Sequence, residues 1–398
     1  MEKKRAFKLF GTMLLAGGIL AGCNSGGGEA TEEPKQEEQP AENQEQESNE
    51  QAEQSAVTEQ ITTYQAMMDE LGKAKEDQEV DWDKVLEEYK GGLQTAVTEV
   101  NGEFDQAITA ALEGGKSGDL KPNIARQLVD KTTQSYFYQK QKGLHGQVAE
   151  AMEADKSDEA KALFADIKTL AEDVFIPTAV KRDSYYELSG ENSMEESINA
   201  GLSAQEEALN SGNVDDYKVY KQITDKSIYR SYYLAAQSYA EKIEKAVAEG
   251  NEEELQIMQA EGWGFYQAIK GSLSGGDEEA ANKLNTLFSL NETEPASIKA
   301  AEVKDLFANA FVGKIKSYHE KVPTKLEAGE VTDARGAALE GNVFMKDIEM
   351  YLNEKLGEEK TKQAMENGEK WFEAVSNENT EEAAKYSEQI ISTLNELQ

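Results

Sequence analysis

Histidine is nearly missing from this chain, with two in 398 residues, and cysteine is scarcer still, with Cys23 alone. A single thiol rules out an intramolecular disulfide and a cysteine-built metal site, although exported chains often rely on disulfides. Within residues 56–398, proline is confined to Pro122, Pro177, Pro295 and Pro323, so long helices meet few breaks. Basic residues are outnumbered, 41 against 77 acidic ones, for a formal net charge of −36. That balance excludes nucleic acid as a partner and adhesion to anionic headgroups, because both need cationic surface. A glycine-rich phosphate loop and an arguable Ser/His/Asp order are also absent, so no enzyme is expected.

What is present begins with a targeting segment. Lys3, Lys4, Arg5 and Lys8 precede an apolar stretch from Phe10 to Leu20, which is too short to span a bilayer. It ends in Leu20-Ala21-Gly22-Cys23, small residues before the sole cysteine, which resembles the bacterial lipobox. The resemblance implies cleavage before Cys23 and its lipidation. An ordinary secretory signal with an incidental cysteine is the plainer alternative. Residues 24–55 hold ten acids against Lys35 and almost nothing apolar. Such a stretch cannot offset its ordering entropy by burial, and like charges extend it. The expected order is a signal at 1–22, then lipidated Cys23 and a disordered acidic tether over 23–55. A helical domain follows over 56–398, as one elongated bundle or as sub-bundles 56–190 and 191–398. The chain is thus expected at the cell membrane, lipid-anchored on the extracytoplasmic side, with membrane lipid as a partner through Cys23.

Ala, Glu, Lys, Gln and Leu dominate the domain, and all favour helix. Apolar residues recur at three and four. Tyr229, Tyr232, Ala236, Tyr239, Ala240, Ile243 and Val247 form one stripe, and Leu255, Met258, Gly262, Phe265 and Ile269 the next. Helices are expected near 57–75, 82–99, 102–113, 121–154, 157–175, 193–210, 215–249, 251–271, 277–289, 298–328, 330–356, 360–377 and 380–396. Trp263 and Phe265 read as core. The expected fold is all-α, with tandem antiparallel helical hairpins in three related units.

Those units follow from self-similarity. Asp130-Lys131 with Phe137-Tyr138 returns 95 residues later as Asp225-Lys226 with Tyr232-Tyr233. A shift of 79 maps Glu261-Gly262 with Phe265 and Ile269 onto Glu340-Gly341 with Phe344 and Ile348, and Gly250 onto Gly329. Under these shifts His145, Ala240 and His319 share one column, and Asp166, Glu261 and Glu340 another. Each histidine lies as far before its turn as the acid lies after it. At about 1.5 Å per residue both stand roughly 15 Å from the turn, level in an antiparallel hairpin.

His145 is therefore expected opposite Asp166, and His319 opposite Glu340. Glu261, facing Ala240, needs Tyr233, Tyr239 or a lysine. Each acid lies on an apolar stripe, and a buried carboxylate needs a partner. Two readings follow. The acids, histidines and tyrosines converge as ligands of a hard or borderline cation such as iron, or the groups only fix helix register. The 16 tyrosines carry the same ambiguity, since phenolate binds ferric iron but buried tyrosine commonly just packs. Arg126 before Asp130-Lys131 and Lys221 before Asp225-Lys226 suggest structural pairs four residues apart.

Several segments together resemble the Fe-assimilation proteins, secreted iron-related proteins of algae with bacterial relatives. They are Val80-Asp81-Trp82 leading into Tyr89-Lys90-Gly91-Gly92, the runs 126–131 and 221–226, and Ala260-Glu261-Gly262-Trp263-Gly264-Phe265-Tyr266. The likeness covers roughly residues 80–350. It implies an extracytoplasmic helical protein of iron acquisition, with Glu261 the residue most readily carried over and an iron permease as a partner. Ala240, which leaves the middle unit without a histidine, departs from a threefold site. Imelysin-type iron lipoproteins are disfavoured, because Gly143-Leu144-His145 is followed by Gly146-Gln147-Val148 and lacks their acid. The expected function is a surface lipoprotein that binds iron or a similar cation for uptake, with Glu261, His145, Asp166, His319, Glu340, Tyr138 and Tyr233 as ligands. The alternative is a metal-free helical interaction module at the envelope.

Overall fold

Helices start where a side chain takes up free amides of the first turn. Ser55, Asp81, Asn101, Ser193, Asn213, Asp277 and Asn379 each accept such a bond. The computed structural model describes residues 55–397. The signal, Cys23 and all but the last residue of the tether lie outside the described residues. The rest is helical, with no strand among the described residues.

In chain order the helices are α1 Ala56–Gly72, α2 Trp82–Gly92, α3 Gln94–Val100, α4 Gly102–Ser117, α5 Pro122–Glu153, α6 Ser157–Leu170, α7 Ile176–Tyr185 and α8 Met194–Asn210. They continue with α9 Val214–Glu249, α10 Leu255–Ser274, α11 Glu278–Phe288, α12 Ala300–Glu327, α13 Val331–Asp347, α14 Glu349–Leu356, α15 Glu358–Ser376 and α16 Thr380–Asn395. Two expected helices are split, at Leu93 and at Ile348. One was not expected: the chain runs past α6 through a π turn, Ala171–Phe175, into α7. Pro177 sits in the first turn of α7, where its missing N–H is no loss.

Three pairs of long helices, α5 with α6, α9 with α10 and α12 with α13, pack on each other after the same turn. Lys156, Asn251 and Glu330 donate backbone N–H bonds of 2.9 Å to the carbonyls of Ala151, Ala246 and Lys325. The preceding residue is left-handed in each: Asp155 (φ 57°), Gly250 (φ 72°) and Gly329 (φ 74°). The same closure also ends α8 at Gly212 and α15 at Glu378.

Helix α9 is the axis of the core. It packs against α8, α10 and α13, and also meets α5, α7 and α12. Every residue from 224 to 240 is buried, so this stretch has no solvent face, unlike an ordinary amphipathic helix. Its serines fold back on the helix: Ser231 and Ser238 donate to the carbonyls of Ile228 and Ala235. Tyr229 and Tyr233 meet Phe307, Phe311 and Phe344 edge-on. Phe265 is core, as expected, whereas Trp263 is only partly covered. No described helix is long and apolar enough to cross a membrane.

Candidate functional site: paired ionic networks beside a lysine-lined cleft

Both histidines are buried, but neither ring bonds the acid expected across its hairpin. His145 has Nδ1 3.1 Å from the Tyr217 hydroxyl and Nε2 3.0 Å from the Gln141 amide. Both ring nitrogens are thus taken, and the ring ties α5 to α9. Asp166 is half-buried and is not among its partners. Burial, with a smaller contribution from Lys221 and Lys226 and against the Asp225 charge, lowers the His145 pKa to about 4. His319 has Nδ1 2.8 Å from the Ser387 hydroxyl, and its ring stacks 3.7 Å from that of Trp371. Burial lowers its pKa to about 3. Equal height above a turn makes two residues level. Which way each points depends on helix rotation, and here α15 and α16 claim His319.

Glu340 turns instead to Lys226. The Lys226 ammonium lies 2.6 Å from Asp225 Oδ2 and 2.9 Å from Glu340 Oε1, and 5.2 Å from the centre of the Phe344 ring. Tyr138 donates to Asp225 Oδ1 at 2.7 Å. The Tyr318 phenol faces Glu340, and burial together with that charge pushes its pKa up. Burial alone would raise the Asp225 pKa, yet Lys226, Lys142 and the Tyr138 bond hold it well below the usual carboxylate range. The lysine of α9 thereby bridges to α13, and the two carboxylates it holds extend the network to Tyr138 of α5 and Tyr318 of α12. Of the expected ligands, Tyr138 and Glu340 meet here around an ammonium, with His145 close enough to feel Asp225. Asp225 and Asp130 pair with the adjacent Lys226 and Lys131, not with Lys221 and Arg126 one turn before them.

A partly similar set of contacts surrounds Lys131, which has no ion pair with Glu261 among the described residues. Lys131 pairs with Asp130 at 2.8 Å and lies 4.8 Å from the centre of the Phe265 ring. Tyr64 and Gln134 donate to Asp130 Oδ1 at 2.5 and 2.8 Å. Tyr239 faces Glu261, and burial together with that charge raises its pKa. So Glu261 has a tyrosine partner, one of the three expected. Gly262 and Gly341 carry the parallel further. A Cβ on Gly262 would meet Phe288 at 2.6 Å and Tyr239 Cβ at 3.4 Å, and one on Gly341 would meet Trp371 and Tyr318 Cβ at 3.3 Å. Tyr64 on α1 lies outside the aligned stretches, and no sequence signal marked it. Tyr233 bonds Gln237 at 2.9 Å and packs on Phe307 and Phe311.

Beside the Lys226 network a cleft of about 650 Å³ opens between α5, α9, α12 and α13. Its wall includes Gly146, Lys221, Tyr318, Lys321, Gly336 and Glu340. These residues do not fit an iron centre. Among the described residues no three of His, Cys, Asp or Glu come together. The carboxylates that do converge, Asp225 and Glu340, enclose an ammonium, with Lys142, Lys221 and Lys314 near enough to interact. An entering cation would meet those charges. No family model, curated protein or solved structure matches the chain. Fold and site define an all-helical protein braced by buried ionic networks beside a polar cleft.

Proposed function

We propose that the chain is a lipid-anchored, extracytoplasmic binding module that holds its ligand without transforming it. The carrying observation is the cleft between α5, α9, α12 and α13, which sits on a frame braced by Lys226 and has no serine, cysteine or histidine in its wall. Such a wall suits recognition rather than reaction. Cys23 is the proposed point of lipid attachment, and the acidic segment after it the tether. The module is read as metal-free, since lysine already answers the carboxylates that a cation would need.

The domain is further proposed to derive from three related hairpins. The register-matched turns at Asp155, Gly250 and Gly329 support this, as do the paired roles of Lys131 with Lys226 and Gly262 with Gly341.

Metal analysis of the full chain, purified without chelators and then equilibrated with ferric iron, tests the reading. Iron well below one equivalent is expected, in the parent and in Glu261→Ala alike. One bound iron per chain, lost in Glu261→Ala while helicity persists, would replace the metal-free module with an iron carrier.

A further inference from the structure

We infer that the cleft beside Lys226 binds a small oxyanion bearing two or more negative charges, a phosphate or a polycarboxylate. The inference rests on reading the chain as a binding module and supplies the chemistry of its ligand.

In a chain with 77 acids and 41 basic residues, a lysine has carboxylates within easy reach. At the rim of the cleft the lysines use them: Lys218 pairs with Glu153, and Lys325 with Glu330 and Asp333. Around the Asp225 and Glu340 carboxylates they do not. Lys314 and Lys321 rest 5.2 and 5.0 Å from the centre of the Tyr318 ring, and Lys142 lies 5.6 Å from that of Tyr138. Lys221 is half-buried on the wall. None of these four makes an ion pair with another described residue, and the acids acting on Lys142, Lys221 and Lys314 are Asp225 and Glu340, both already held by Lys226. Glu150 on the rim is the remaining carboxylate of the lining, and it is exposed. Counting Lys226, lysine therefore outnumbers acid around Asp225 and Glu340, in a protein whose overall charge is the reverse, and Lys221 and Lys321 bring that excess onto the cleft wall. Desolvation of Lys221 lowers its pKa against the pull of Asp225 and Glu340, as expected of an ammonium whose counter-ion is incomplete.

The space is also real. A Cβ on Gly146 or Gly336 would meet nothing within 4 Å, although Gly336 is itself buried. Ala149 and Ala337 continue this low floor, and Gln222 and Thr332 add neutral donors. The volume suits a small molecule. Ammonium groups act as point charges without the planar fork of arginine, so they suit compact, multiply charged oxyanions.

Calorimetric titration of the full chain in neutral detergent, with inorganic pyrophosphate in one arm and citrate in the other, decides the matter and separates the two ligand sources. One equivalent of at least one probe should bind, more weakly as salt rises. Lys221→Gln should weaken it about tenfold or more. Gly336→Leu, whose Cβ enters open space and whose side chain then occupies the floor, should abolish binding while the chain stays folded. Lys242→Gln removes an equal charge over the Tyr239 ring and should leave binding intact. The inference falls if neither probe binds at about 1 mM, or if Lys221→Gln binds like the parent. It also falls if Lys242→Gln weakens binding as much as Lys221→Gln does. Should Gly336→Leu misfold, Lys221→Gln decides, since that side chain holds no other group in place. Missing anion binding in an iron-free chain overturns this inference alone, whereas one bound iron overturns the function on which it rests.

Discussion

A buried charge persists in this protein where another helix answers it. Lys226 is 5% exposed and holds Asp225 and Glu340 together. Removing one partner of such a group leaves the others uncompensated, at a cost of about 3–5 kcal/mol. The histidines follow the opposite course and stay neutral. Free imidazole titrates near pH 6.5, whereas His319, buried against Trp371, does so at about 3. Between those values the unfolded chain binds a proton that the fold refuses, so stability falls as pH drops from about 6.5. At pH 5 the loss is roughly 2 kcal/mol. His319→Phe keeps a ring on Trp371 and removes the titration. Urea unfolding at pH 7 and pH 5 should show the variant losing about 2 kcal/mol less than the parent, and equal losses would contradict a neutral, buried His319. That both histidines are core residues was legible, since they share the column of Ala240, which lies on an apolar stripe. Their partners Tyr217 and Ser387 were not, because neither lies in the hairpin of its histidine.

At the scale of elements, helix positions came close to the expected ranges, since caps and left-handed glycines act within a few residues. Helix α7 lay beyond the expected range 157–175, although Pro177 is at home in its first turn. The stripe on α9 pointed to a helix but not to burial on every side. The paired glycines show how one position can serve two hairpins differently. Alanine gains about 1 kcal/mol over glycine within a helix. At Gly341 the added methyl meets Trp371 and Tyr318 at 3.3 Å, so Gly341→Ala should stay within about 1 kcal/mol of the parent. At Gly262 it meets the Phe288 ring at 2.6 Å, and Gly262→Ala should cost about 1–3 kcal/mol. Denaturant midpoints check the order, and a more stable Gly262→Ala would refute the close approach of α10 to Phe288.

At the scale of the whole molecule, the tether makes a prediction independent of the site. No described helix is long and apolar enough to cross a membrane, and with Cys23 as the proposed anchor Cys23→Ala should move the chain into the soluble fraction. Variant protein still sedimenting with membranes after a high-salt wash would refute lipid attachment through Cys23. Sequence alone determined the helical class, the turns at Asp155, Gly250 and Gly329, and the acidic balance, because each depends on local periodicity, nearby caps or composition. Sequence also aligned Lys131 with Lys226 and Glu261 with Glu340, which marked the residues of the two networks without saying what they touch. Only the tertiary structure decided that Glu340 meets Lys226 of α9 rather than His319 of its own hairpin, and that Tyr64 of α1 serves Asp130. The physical reason is geometric. Counting residues from a turn sets the height of a side chain, but the rotation of its helix, and the third helix packed against it, decide what it faces.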